Sequence, residues 1–279
     1  MTKSQIPKPK SQWARLGFGI WVLGFGICLA PACAARRIAL PTDAGSPFPD
    51  VAQVHAEVSK TCAAVRTLTA ELGLSGRAGG QSLRGRVVAG FERPASMRLE
   101  GVAPFGPPAF ILAARGDTAT LLLPRDNRVL RGARADAILG ALTGVALAPA
   151  DLQAILTGCV MPAPKPAGGR LHQNGWAAID LAEGATLYLQ RAGAAWEPRA
   201  ARRSGWQIEY PEWQAGFPRT VRLRSDAQAV DVDLSASISQ IETNVDLAPA
   251  AFDVVVPADA GAMTLEELRN AGPLRNSGQ

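Results

Sequence analysis

Catalytic chemistry is what this sequence most conspicuously lacks. It has two histidines in 279 residues, His55 and His172. It has no Cys-x-x-Cys, no His-Glu-x-x-His, no Gly-x-Ser-x-Gly elbow and no Gly-rich phosphate loop ending in Lys-Ser/Thr. The Gly-rich stretch Gly76–Gly85 lacks a following helix and reads as a hairpin turn. No catalytic residue, metal ligand or cofactor is expected, and the chain reads as a non-enzyme. Aromatic residues are also scarce, at 6%. With hydrophobic content at 47%, much of the apolar mass must be Ala, Val and Leu in closely packed strands.

The excess of positive charge disappears on inspection. The net charge is +5, but Lys3, Lys8, Lys10 and Arg15 precede an uncharged stretch from Leu16 to Ala35. Removing those four from 29 basic residues leaves 25 against 24 acidic ones, so nucleic acid is not an expected partner. The Arg202-Arg203 doublet reads as a solvated strand or turn face.

The basic start followed by an apolar run is the pattern of a secretory signal over residues 1–32. A retained membrane anchor is the alternative, and Pro31 with its small neighbours favours cleavage. Two cleavage chemistries compete. Leu29-Ala30-Pro31-Ala32-Cys33 reads as a lipobox ending at a lipidated Cys33, which anchors a chain to a membrane without a spanning helix. Ordinary cleavage after Ala30-Pro31-Ala32 is the other. Cys28 leaves with the leader in both cases. Cys62 and Cys159 remain in an oxidising compartment, either bridged or as two buried thiols. A bridge across 97 residues restricts the unfolded chain by roughly 4–5 kcal/mol.

Residues 33–49, rich in Pro and Gly, read as a tether. Asp50 offers an N-cap, and Val51, Val54, Val58, Cys62 and Val65 at helical spacing predict an amphipathic helix over 50–65. Strands are predicted at Thr67–Arg77, Leu83–Arg93, Ser96–Val102, Ala109–Arg115, Thr118–Pro124 and Arg128–Arg131. Two short apolar helices follow, Asp136–Leu142 stopped by Gly144, and one starting at Pro149 and running to Gly158. They must lie across the sheet's open face. Met161–Gly169 reads as a linker. Strands resume at Trp176–Asp180, Thr186–Gln190, Pro198–Ser204, Gln207–Tyr210 and Arg219–Arg224. In Ala229–Thr243, Val230, Val232, Leu234, Ala236, Ile238 and Gln240 share the apolar face. Thr264-Leu-Glu-Glu-Leu begins a short capped helix. The fold class is mainly β with a few helices.

Several segments resemble one family. Leu99-Glu-Gly-Val-Ala-Pro-Phe-Gly-Pro-Pro-Ala-Phe-Ile-Leu is similar to the third and fourth strands, with their loop, of LolB-type outer-membrane receptors in the LolA/LolB lipoprotein-localisation family. The helix pair around Leu142-Thr143-Gly144 looks like that family's. So does the run Tyr210-Pro-Glu-Trp with Phe217-Pro-Arg-Thr-Val-Arg-Leu, leading to the long strand through Asn244 and Phe252. The likeness spans most of 50–257. Residues 258–279 read as a C-terminal tail with a short helix, outside the family outline.

The resemblance implies an incomplete, strongly curved antiparallel β-barrel covered by α-helices. It implies a monomer that binds lipoprotein acyl chains or other lipids. The donor would be a periplasmic carrier protein and the location the periplasmic face of the outer membrane. A structural or sensing lipoprotein of the same fold is the alternative function. Phe105 takes the place of the exposed leucine with which the family enters the membrane. Leu99, Ile111, Leu121, Leu123, Ile179 and Leu234, with Ile138, Leu142, Leu152 and Ile155 on the covering helices, are the expected ligand-lining residues.

Overall fold

The computed structural model describes residues 37–78, 80–225 and 231–271. The expected signal segment and Cys33 lie outside the described residues, as do positions 229 and 230. In chain order come β1 (Ser46–Pro47), α1 (Val51–Ala63), β2 (Thr67–Ala78), β3 (Gln81–Glu92), β4 (Ser96–Val102), β5 (Ile111–Arg115), β6 (Thr118–Leu123) and β7 (Arg128–Ala133). Helices α2 (Ala135–Thr143) and α3 (Pro149–Leu156) follow. Then come β8 (Pro166–Leu171), β9 (Trp176–Leu181), β10 (Thr186–Ala192), β11 (Ala195–Arg203), β12 (Trp206–Gln214), β13 (Phe217–Ser225) and β14 (Val232–Thr243). The described chain ends with β15 (Gly261–Ala262) and α4 (Leu265–Ala271).

All the strands join one sheet in the order β1-β8-β9-β10-β11-β12-β13-β14-β2-β3-β4-β5-β6-β7-β15. It is two antiparallel meanders, β2–β7 and β8–β14, joined where β14 pairs with β2. The end strands β1 and β15 do not meet, so the sheet stays open and the expected barrel is unclosed. The sheet curves around its helices. Helix α3 packs on both β4 and β13, which stand four strand positions apart.

Local chemistry accounts for the elements. Gly144 ends α2 in the left-handed conformation at φ +74, its N–H donating to the Gly140 carbonyl. Pro149 opens α3, where no intrahelical N–H partner is needed. Asp50 stands at the N-cap of α1 but makes no side-chain capping bond. At Gly76, φ +140, β2 approaches β14 so closely that a Cβ would collide with the Asp233 carbonyl. Strand alternation sends Leu68, Leu72, Val87, Phe91, Met97 and Leu112 into one core shared with Ile179, Leu189, Ile208 and Val221.

Four expectations need correction. Met161–Gly169 is not wholly a linker, because Pro166–Leu171 forms β8 against β9. Ser46–Pro47, read as tether, pairs with β8, and Phe48 is buried 5.8 Å from the Trp196 ring. The C-terminal segment is docked, not a free tail. Ala262 runs parallel to Val129, and Leu268 is 3% exposed beside α2. Gln240 is exposed rather than inward. It takes φ +50 in a bulge between Ser239 and Glu242, which brings Ile241 against the core instead.

Candidate functional site

Helices α2 and α3 lie over the concave face of β13, β14, β2, β3 and β4. Between them and the sheet is an open-mouthed cavity of about 130 Å³. Sheet residues Leu72, Leu74, Val87, Leu99, Val221 and Leu223 face it from below. Leu139, Leu142, Leu152, Ile155 and Leu156 face it from the helices. Thr143 and Ser235 are its polar residues, and no charged side chain lines it. Thr143 is satisfied locally: its Oγ1 donates to the Leu139 carbonyl at 2.8 Å and accepts from the Val145 N–H at 3.2 Å. The hollow is therefore an apolar solvent, without directional chemistry.

Five of the residues expected to line a ligand site do border the cavity: Leu99, Leu142, Leu152, Ile155 and Leu234. The other five do not. Leu121, Ile138 and Ile179 point inward but are completely buried in closed core. Ile111 stands on the other face of β5: its cross-strand partners are Glu100 and Leu122, whereas the inward row runs Leu99, Leu112, Leu121, Leu130. Leu123 sits at the end of β6 opposite Arg128, half-buried at the core's margin. Leu72 and Leu74 also line the cavity, and period-two alternation in β2 carries them. Leu147, between α2 and α3, had no such signal.

Phe105 sits in the loop between β4 and β5 and is 89% exposed. Its carbonyl accepts from Arg125 Nη2 at 3.1 Å, which pins the loop's base while the ring stays in solvent. Pro104, Pro107 and Pro108 stiffen the turn, and Gly106 at φ +79 reverses it. Val102 beside it is also exposed.

Cys62 and Cys159 form a disulfide that ties the end of α1 to the segment after α3. Beside it, Ser59 Oγ lies 3.3 Å from His55 Nε2, an i,i+4 pair within α1. Burial holds the His55 imidazole below its ordinary range. The Tyr210 phenol is wholly buried with its hydroxyl unpartnered, and burial pushes it upward from its ordinary value. Among the described residues, no group of three or more His, Cys, Asp or Glu could hold a metal, and no helix is long and apolar enough to cross a membrane.

The Arg202-Arg203 doublet is split rather than uniformly solvated. Arg202 is exposed, while Arg203 Nη1 reaches Asp151 Oδ1 of α3 at 2.7 Å.

No family model and no curated protein matches this chain. A solved structure of a DUF1329 family protein from Desulfovibrio piger does, at a TM-score of 0.50 and 11% identity, over 75% of this chain and 98% of that one. The two share a fold. A LolA superfamily protein from Nitrosomonas europaea aligns at a TM-score of 0.49 and 11% identity, over 73% of this chain and 97% of that one.

Proposed function

We propose that this protein is an exported lipoprotein, acylated at Cys33 on the periplasmic face of the outer membrane, that binds acyl chains and receives or inserts lipoproteins. The apolar cavity beneath α2 and α3 carries this reading. A hydrocarbon chain gains about 0.8 kcal/mol for each methylene withdrawn from water, and ten methylenes give about 8 kcal/mol without any polar contact. At about 130 Å³ the hollow is slightly smaller than an engineered apolar cavity of about 150 Å³ that binds benzene. A whole chain needs α2 and α3 to move outward. The sequence resemblance to LolB-type receptors supports the same assignment, with Phe105 as the membrane-entering residue and a periplasmic carrier as donor.

Uptake of a fluorescent fatty acid by protein purified without detergent tests the reading. Saturable uptake, with acyl species in the native mass spectrum, is the expected result. Absence of both sinks it. The small volume of the hollow favours one other reading, a sensing or structural lipoprotein of the same fold with no transfer activity. That reading expects membrane attachment without uptake.

A further inference from the structure

We infer that the ligand is an amphiphile with an oxyanion head, its tail in the apolar cavity and its head on Arg203. This rests on the acyl-binding reading above and adds the head chemistry.

A second cavity of about 180 Å³ adjoins the first. Leu147, Ile155 and Leu223 line both, so three side chains form a common wall. The second space is chemically different. Arg203, Asp151, Ser204 and Trp206 border it. An apolar chamber sharing a wall with a charged one fits a molecule that is itself divided into tail and head.

Arg203 is placed there by strand geometry. It shares the inward row of β11 with Ala201, opposite Ile208 and Trp206 on β12. The Ser204-Gly205 turn, with φ +49 and +80, closes that hairpin tightly and fixes the end of the row. The Arg203 and Asp151 side chains are each 18% exposed. Arg203 uses one nitrogen for its contacts: Nη1 donates to Asp151 Oδ1 at 2.7 Å and to the Val160 carbonyl at 3.2 Å. Among the described residues, Nε and Nη2 make no hydrogen bond, and neither is a sealed, unsatisfied atom. That edge of the guanidinium presents two parallel N–H groups, the geometry that grips a carboxylate or phosphate in bidentate fashion. No other cation lines either cavity among the described residues. Asp151 is the competing anion already in place, and it bonds to the guanidinium through Nη1 alone.

The test is displacement of a fluorescent alkyl probe from the purified protein by dodecanoate, dodecyl phosphate and dodecanol at pH 8. One bidentate charge-assisted contact is expected to make the better anion bind about tenfold or more tightly than dodecanol. Whether carboxylate or phosphate leads identifies the head. Arg203→Gln should bring the anions down to dodecanol, whose own binding reports that the fold is intact. Asp151→Asn removes the competitor and should widen the preference for the anion. It decides the matter if Arg203→Gln no longer binds dodecanol. Equal binding of all three ligands by the unaltered protein, or an unchanged ratio in Asp151→Asn, overturns the head assignment and leaves acyl binding standing. No displacement by any of them overturns both.

Discussion

Cys62, near the end of α1, is bonded to Cys159, three residues beyond α3, with their α-carbons 5.8 Å apart. The residues on either side of the bond are buried with Ala154 in a small cluster of their own, apart from the main core. The disulfide therefore ties a covering helix of the cavity to a helix packed elsewhere on the sheet, on β8 and β11.

Removing that tie should be costly. Replacing both cysteines by Ala is expected to lower unfolding stability by about 2–5 kcal/mol, because the unfolded chain regains the freedom of a long loop. Urea titration of the double variant against the oxidised protein measures this. Equal midpoints with equal slopes would show that the bond contributes nothing to stability.

Phe105→Glu should leave stability within about 0.5 kcal/mol, since an exposed side chain has no packing to lose. Binding to anionic or zwitterionic vesicles should drop sharply, because a carboxylate replaces the ring proposed to enter the membrane. Vesicle co-sedimentation beside a thermal melt separates the two effects. Unchanged sedimentation would assign the ring to solvent alone.

His55 predicts an acid-sensitive step. Its folded pKa lies below the ordinary 6.5, so at pH values above that both folded and unfolded forms are neutral and stability is full. As the pH falls through 6.5 the unfolded chain takes the proton first, and stability declines until the folded pKa is passed. Asp136, lowered by its hydrogen bond from Arg134, and Glu267, lowered by the Thr264 N–H and by Arg128, lose their contributions at more acid pH. Stability measured between pH 7.5 and 5 should fall, and His55→Gln should flatten that part of the profile. A slope identical in the variant would assign it to other groups.

The C-terminal helix makes a separate prediction. Thr264 Oγ1 accepts from the Glu267 N–H at 3.1 Å, and Glu267 Oε2 accepts from the Thr264 N–H at 2.7 Å, a reciprocal cap. Thr264→Ala should cost about 1 kcal/mol. Leu268→Ala should cost about 2–5 kcal/mol, through the cavity left beside α2. Hydrogen exchange should then rise in α4 and α2 together. Exchange confined to α4 would mean that the two helices are not coupled.

Much of the fold was legible because local chemistry writes it. The alternation from Thr67 to Val102 marks three strands, and Gly144 and Pro149 mark where one covering helix stops and the next begins. The misreadings share a cause. Met161–Gly169 has the composition of a loop, and β8 exists because β9 offers it a ladder. Gln240 fits the alternating pattern, but a bulge shifts the frame by one residue. Arg202 and Arg203 look alike in sequence. Period two requires one of the pair to face inward.

Sequence alone determined the β-rich class, most of the strand and helix succession, and the positions of the two cysteines that meet. Which inward residues border a hollow and which are sealed was decided only by the tertiary structure. Leu99 and Leu121 both face inward from neighbouring parts of one sheet, yet one borders the cavity and the other is closed core. Periodicity specifies the face a side chain points from. What it meets there depends on where α2 and α3 come to rest, and contacts between distant segments set that.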